Sequence, residues 1–333
     1  MSTHVPALVP TPGSGHVPAP VLSDDLRDKV SDLRSASKSA NTRRAYLSDW
    51  RRWETWCQQN DLVSMPAHPD TVSAYLADQA GGVSVATLAR HLATISKAHQ
   101  VAGLPNPCRE TSVRDTMSGL RRVHGSAQNE APGLLPDQLR ATLDTLGNDL
   151  SGLRDRALLL VGWCAGLRRS EVAGLTWGDL TPDPDGLVLT LRKSKTDQEQ
   201  RGRKVGLPAA LDLGVCPVNA LARWREAASH ESSEKTAPGS PVFCQVTRWG
   251  HLGGALSGEA VALVIQRRTN QAGLPVRYRG HSLRKGLVQA AFIAGVSDSA
   301  VMATTGHAGV AMLRRYQGQA GLVSRSASKG LLA

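Results

Sequence analysis

Residues 279–316 read RGHSLRKGLVQAAFIAGVSDSAVMATTGHAGVAMLRRY, and the rest of the chain is interpreted outward from them. Leu283, Leu287, Ala290 and Ala294 recur at helical spacing, so the run predicts an amphipathic helix. On it His281 and Arg284, three apart, share one face and can hold one oxyanion together. Gly306 then breaks the pattern, His307 follows, and Tyr316 comes nine residues later beside Arg314 and Arg315. A phenol with a pKa of about 10 is only about one part in a thousand ionised at neutral pH, so a nucleophilic tyrosine needs a base or a strong positive field. His281 and the arginines supply both. Each piece alone has a commoner structural explanation, a surface pair for HxxR and packing for the tyrosine. Their combination calls for a second arginine upstream, and AGLRRSEVAGLTW (165–177) provides Arg168.

In that upstream stretch Arg168 and Glu171 are three apart, so the carboxylate can orient the guanidinium. An arginine just after the apolar run Leu153–Cys164 is costly unless it is paired or receives an anion. LVLTLR (187–192) and RKVGL (203–207) are strand-like runs that predict a hairpin, with Lys193 and Lys195 at its tip.

Composition narrows the partner. The 333 residues carry 39 Lys+Arg against 28 Asp+Glu, a formal net charge of +11, which favours a polyanion such as nucleic acid. Residues 131–333 hold 25 basic against 16 acidic side chains, a surplus of nine, so the half with the clamp motif carries most of the excess. The five cysteines (Cys57, Cys108, Cys164, Cys216, Cys244) stand singly, suggesting neither a disulfide framework nor a zinc site. No metal site and no cofactor are expected, and no GxxxxGK[ST] loop for a nucleotide is found. Neither an 18-residue apolar run nor a signal sequence is seen, so a cytoplasmic protein without a membrane partner is expected.

Taken in order, residues 1–38 begin with a Pro/Gly-rich stretch and are expected to form a flexible tail. Residues 39–125 predict four helices. The first carries Tyr46, Trp50, Trp53 and Cys57; the second, capped by Asp70, carries Val72, Leu76 and Ala80. The third, capped by Ser84, carries Leu88, Leu92 and Ile95; the fourth runs from about Arg109 to Val123 with Val113, Met117 and Leu120 inward. Arg43, Arg44, Arg90, His91, Lys97, Arg114, Arg121 and Arg122 fall on the outward faces, as candidate DNA contacts or an ordinary solvated surface. Residues 126–133 are small, polar and Pro/Gly-bounded, predicting a linker to a second domain over 134–333. There, helices are expected from Pro136 to Leu146, Leu153 to Cys164, near Val218–Ala228 and near Glu259–Asn270, with a short strand around Phe243. Leu322, Val323, Leu331 and Leu332 in the closing stretch are candidate contacts with a neighbouring protomer.

Arg168 in GLRRSE, Lys195 in SKT, His281 and Arg284 in HSLR, His307 in TGH and Tyr316 in RRYQ together give a sequence that resembles the tyrosine recombinases from about Ser39 onward. The resemblance implies a mainly α fold with a small β-hairpin sheet. It further implies an N-terminal four-to-five-helix, SAM-like core-binding domain and a mostly helical catalytic domain, forming a C-shaped clamp on DNA. It assigns Arg168 and Arg284 as phosphate-binding arginines, Glu171 as their acidic supporter and Lys195 as the hairpin lysine. His281 and His307 become the two site histidines and Tyr316 the nucleophile. The implied partner is double-stranded DNA with inverted-repeat half-sites around a spacer, bound by a tetramer on two sites, with cleavage through a 3′-phosphotyrosine and no ATP. Two other readings stay open: a type IB topoisomerase-like activity, and a catalytically silent DNA-binding or architectural protein.

Overall fold

The computed structural model describes residues 23–29, 40–125, 131–192 and 202–317. Lys193 and Lys195, residues 126–130 of the expected linker, most of the expected N-terminal tail and the closing stretch from 318 lie outside the described residues. Within the expected tail, residues 24–29 are helical, with Arg27–Asp24 and Lys29–Asp25 pairs at helical spacing. The chain divides into two compact units, Met1–Asn129 and Glu130–Ala333.

The first unit packs helices α1 (Ala40–Gln59), α2 (Pro69–Asp78), α3 (Val85–Val101) and α4 (Thr111–His124). Their apolar stripes meet in one core of Trp53, Cys57, Val72, Tyr75, Leu76, Leu88, Ile95, Val113, Met117 and Leu120. Trp53 meets the edge of Tyr75 at a centroid distance of 5.1 Å, a favoured aromatic geometry. Ser84 caps α3 by accepting from the Thr87 N–H. The cap of α2 is His68, not Asp70: its ring accepts the Asp70 N–H, and Pro69 occupies the first helical position, where its missing N–H costs nothing.

The second unit is built around α6 (Leu150–Cys164), whose Leu153 and Ala157 to Val161 are all buried. Helix α5 (Pro136–Asp144) precedes it and α7 (Arg169–Ala173) follows. An antiparallel sheet of β1 (Leu180–Asp183), β2 (Gly186–Leu191) and β3 (Arg203–Pro208) comes next, in that order. Helix α8 (Pro217–Glu231) leads to a second sheet, β4 (Cys244–Val246) with β5 (Leu252–Ala255), then to α9 (Gly258–Gln271). Buried Asp155 of α6 accepts from Arg154, Arg267 and Arg268, the last at 2.7 Å, pinning α9 to α6 with a compensated carboxylate. Last come α10 (Ser282–Ile293), α11 (Asp298–Thr305) and α12 (Val310–Gln317). They close over a small core of Val288, Phe292, Val301 and Leu313.

The second unit begins earlier than the expected linker end. The Leu134 N–H donates to Ser282 O at 2.9 Å, and Leu134 O accepts from Trp163 Nε1 at 2.8 Å. Gly286 of α10 lies so close to Leu134 that a Cβ there would fall 1.9 Å from its carbonyl oxygen. Gly133 belongs to the same joint, since a Cβ on it would fall 2.9 Å from Gly286 N. Gly133, read as linker, thus serves close backbone packing against the helix that carries Arg284.

Candidate active site

Arg168 is the residue before α7, and its position is fixed by Glu171. Its N–H donates to Glu171 Oε2 at 2.9 Å and its Nη1 to Oε1 at 2.6 Å. Both residues are buried. Burial pushes the Glu171 carboxyl up, but the N–H and guanidinium of Arg168 together with Arg203 outweigh it and hold the group below its usual value. Glu171 is therefore an anion at neutral pH.

Arg284 lies in the first turn of α10 with no exposed surface. Its Nη1 donates to Gly166 O at 2.8 Å and to Thr305 O at 2.5 Å. Its Nε and Nη2 are buried without a hydrogen-bond partner among the described residues. That edge, two parallel N–H groups, is the one that pairs bidentately with a phosphate or carboxylate. Burial, then repulsion from Arg168, pushes its pKa down to about 10, so it stays charged at neutral pH.

His307 follows Gly306, which caps α11 in the left-handed region at φ +66°. The Thr305 hydroxyl donates its one proton to Val301 O at 2.6 Å. Its 2.7 Å contact with His307 Nδ1 is therefore an N–H donated by the ring. The neutral ring thus carries its proton on Nδ1 and has a bare Nε2, which is buried without a partner among the described residues. Burial, followed by the charges of Arg284, Arg168, Arg203 and His281, drives the pKa of His307 down to about 3.

Tyr316 joins these groups from α12, which buried Leu313 anchors. Its half-buried ring lies 4.7 Å from the His307 ring and 6.2 Å from that of His281, centroid to centroid. Arg284 Cζ stands 5.8 Å from the Tyr316 centroid. His281 is exposed and occupies the N-cap of α10, so it precedes the helix instead of lying on its face with Arg284. The other tyrosine of this region, Tyr278, is buried in the main core, where burial raises its pKa.

Arg168, Glu171, His281, Arg284, His307 and Tyr316 thus converge, whereas Lys195 lies outside the described residues. Sequence patterning alone does not single out Arg203, which the structure places among them. Its Nη2 donates to Glu171 Oε2 at 3.2 Å and its Nη1 to Thr304 O at 2.5 Å. The available signal is strand alternation: Arg203 shares a face with buried Val205 and Leu207, and an inward arginine needs a carboxylate.

In the first unit, Arg43, Arg44, Arg90, Lys97, Arg114, Arg121 and Arg122 are exposed. His91 is not: it is 2% exposed, bonded through Nδ1 to Tyr75 Oη at 2.9 Å, with Nε2 3.4 Å from Asp49. It belongs to the core because α1 and α2 supply polar partners there. Arg90 binds Asp49 through Nε at 2.7 Å and Nη2 at 2.9 Å, which ties α3 to α1. Among the described residues no group of three His, Cys, Asp or Glu could hold a metal ion, and no helix is long and apolar enough to cross a membrane.

Residues 133–320 match the model of the phage integrase family, and residues 30–103 match the family's N-terminal SAM-like domain. The chain is 33% identical to an integrase/recombinase XerD homolog of Selenomonas ruminantium, over 84% of this chain and 82% of that protein. It is 27% identical to the recombinase Cre of Escherichia phage P1, over 90% and 91%. In fold it is similar to the Tn1549 transposon integrase in complex with transposon right-end DNA, with a TM-score of 0.62 and 17% identity over 93% of this chain and 99% of that one. It is likewise similar to the XerH recombinase bound to a palindromic difH substrate, with a TM-score of 0.60 and 18% identity over 80% and 73%.

Proposed function

The chain belongs to the phage integrase family and is a site-specific tyrosine recombinase, and we propose that it cuts and rejoins duplex DNA through a covalent bond to Tyr316. The observation that carries the mechanism is the buried Nε/Nη2 edge of Arg284, without a hydrogen-bond partner among the described residues, beside the Tyr316 ring. A guanidinium edge held in that state by two backbone carbonyls is prepared for an oxyanion before the oxyanion arrives.

Tyr316 Oη attacks the scissile phosphorus, a phosphotyrosine forms on the 3′ side, and the bond to the 5′-oxygen breaks. Arg168 and Arg284 donate to the non-bridging oxygens as their charge grows, each contributing about 2.7 to 4 kcal/mol by comparison with other oxyanion donors. His307, bare at Nε2 when neutral, donates there as imidazolium, a form that the arriving anion favours. His281 receives the phenol proton, and Lys195 protonates the departing 5′-oxygen. The phosphotyrosine conserves the bond energy, so a free 5′-hydroxyl reverses the attack and reseals the strand without ATP.

The partner follows from the same reading: duplex DNA with inverted half-sites around a spacer, one protomer on each, and four protomers joining two sites in the bacterial cytoplasm. Arg43, Arg44, Lys97, Arg114, Arg121 and Arg122 are the backbone contacts proposed for the first unit, with Arg90 presenting the outer side of its Asp49 pair. The test is Tyr316→Phe: it should bind its site like the wild type and form no covalent DNA adduct. An adduct in that variant would refute the assignment.

A further inference from the structure

We propose that Arg203 is a positioning residue of the cleavage site, a strut that sets Arg168 and His307 at a fixed separation by linking Glu171 to the last turn of α11. The proposal rests on the reading of the site given above and adds to it a residue at the base of the hairpin.

The strut is continuous in the structure. Glu171 holds Arg168 through both carboxylate oxygens, at 2.6 Å to the guanidinium and 2.9 Å to the N–H. Arg203 Nη2 takes the second oxygen at 3.2 Å, and its Nη1 reaches Thr304 O, three residues before His307. The stem of Arg203 fills the space beside Gly306, where a Cβ would meet its Nε at 2.9 Å and its Cδ at 3.0 Å. Gly306 is thus required twice, for its left-handed backbone and for the room Arg203 occupies.

The division of donors separates Arg203 from the two clamp arginines. Both of its terminal nitrogens are committed to protein acceptors. In Arg284 one nitrogen serves the carbonyls and a complete edge is left over. Among the described residues the Nε of Arg203 lacks a hydrogen-bond partner, and it lies beside Gly306, where an added Cβ would stand 2.9 Å from it. The side chain is 17% exposed, so its charge is largely desolvated, and Glu171 is the anion that offsets this. A group so placed acts through its neighbours: without it, Glu171 loses one of its cations, and the α11 turn loses the Arg203–Thr304 tie to the sheet. Its place at the start of β3, in register with Leu191 at the end of β2, makes the paired base of the hairpin part of the same joint.

The test uses the full chain and a nicked duplex carrying the site that wild-type protein captures covalently from random-sequence DNA. Single-turnover adduct formation is measured at saturating protein for Arg203→Met, Arg203→Lys, Glu171→Gln and the Glu171→Gln/Arg203→Met double variant. Arg203→Met should cleave about 10- to 100-fold more slowly, the range seen when a partner that orients a reactive group is removed. Its DNA affinity should stay within about threefold of wild type, because the bulk of binding comes from many other phosphate contacts. Arg203→Lys, which keeps a charge for Glu171, should recover part of the rate, and this variant also reports if the methionine protein does not fold. The double variant should be no slower than the slower single variant, since both changes break one strut. Rate losses that multiply in the double variant would mean that Arg203 acts independently of Glu171 and would overturn the proposal. Wild-type cleavage by Arg203→Met would do the same. If wild-type protein captures no DNA at all, the proposed function itself fails, and this inference with it.

Discussion

Replacing Arg284 by lysine isolates the phosphate-facing edge from the structural one. Arg284 divides its atoms: Nη1 ties Gly166 O to Thr305 O, and the Nε/Nη2 edge, without a partner among the described residues, is the one proposed to meet an oxyanion. Arg284→Ala would confuse them, because it leaves two buried carbonyls unsatisfied at about 1 to 3 kcal/mol each and opens a cavity besides. Lysine keeps the charge and one nitrogen, which can serve the carbonyls or the phosphate but not as a fork. One lost oxyanion donor is worth about 2.7 to 4 kcal/mol, so cleavage should slow by about 100- to 1,000-fold. DNA affinity should fall far less, and the salt slope by at most about one unit, because a single phosphate contact is removed. The assay is single-turnover formation of the covalent adduct on a nicked duplex, beside a binding titration over a salt series and a melting curve. Wild-type cleavage by a folded Arg284→Lys protein would show that the open edge is not where transition-state charge is held.

Three further outcomes are expected. Below pH 6.5 the unfolded chain protonates His307, whereas the folded ring stays neutral down to about 3, so its stability contribution is complete above 6.5 and lost as pH falls. The loss approaches about 1.4 kcal/mol per pH unit, or about 2 kcal/mol at pH 5. His307→Asn should flatten denaturant-derived stability between pH 7 and 5 by that amount; parallel curves for the two proteins would refute the assignment. Lys195→Ala should slow cleavage of ordinary DNA but cut a substrate with sulfur in place of the bridging 5′-oxygen nearly as fast as wild type, since a thiolate leaves without an acid. Rescue of Lys193→Ala instead would move the acid to Lys193. Cleavage should proceed in EDTA without nucleotide, and strict Mg²⁺ dependence of the cutting step would contradict a clamp made of arginines. A plasmid relaxation assay beside a two-site recombination assay separates strand exchange from topoisomerase-like activity.

What the sequence discloses divides by the range of the interaction that decides it. The helices of the first unit were legible because Trp53, Cys57, Leu88, Ile95, Val113 and Met117 sit at helical spacing on local stripes, and all of them are buried. The residues that converge around Tyr316 could be picked out because their types are uncommon in combination, not because their contacts could be foreseen. His91 was misplaced because nothing local marks it: adjacent to exposed Arg90, it finds its partners Tyr75 and Asp49 on other helices. Strand β5, LGGA, and edge strand β1, LTPD, have little strand propensity of their own, and pairing with β4 and β2 creates them. Glycine was ambiguous in the same way. Gly133 has the composition of a linker, yet it sits against Gly286 because the entry to the second unit must approach α10 at backbone distance.

The charges of the site explain why so much of the fold converges there. Arg168, Arg203 and Arg284 are all substantially buried, and Glu171 is the carboxylate they share. Among the described residues, three guanidiniums about one carboxylate leave a surplus of positive charge where solvent screening is weak, a costly arrangement for a protein without an anion bound. The surplus registers on the neighbours: it helps hold His307 neutral and contributes to the lowered pKa of Arg284. Under the proposed mechanism a phosphodiester entering this field would relieve that repulsion, and the transition state, with more charge on the same oxygens, would relieve it further. The distinction matters, because an interaction that strengthens between ground and transition state accelerates the reaction, whereas one of constant strength only tightens binding. Tyr316 is the phenol placed beside this field, its ring centroid 4.7 Å from that of His307 and 6.2 Å from that of His281. The Glu171–Arg203 strut keeps that surplus in place in the absence of the anion proposed to meet it.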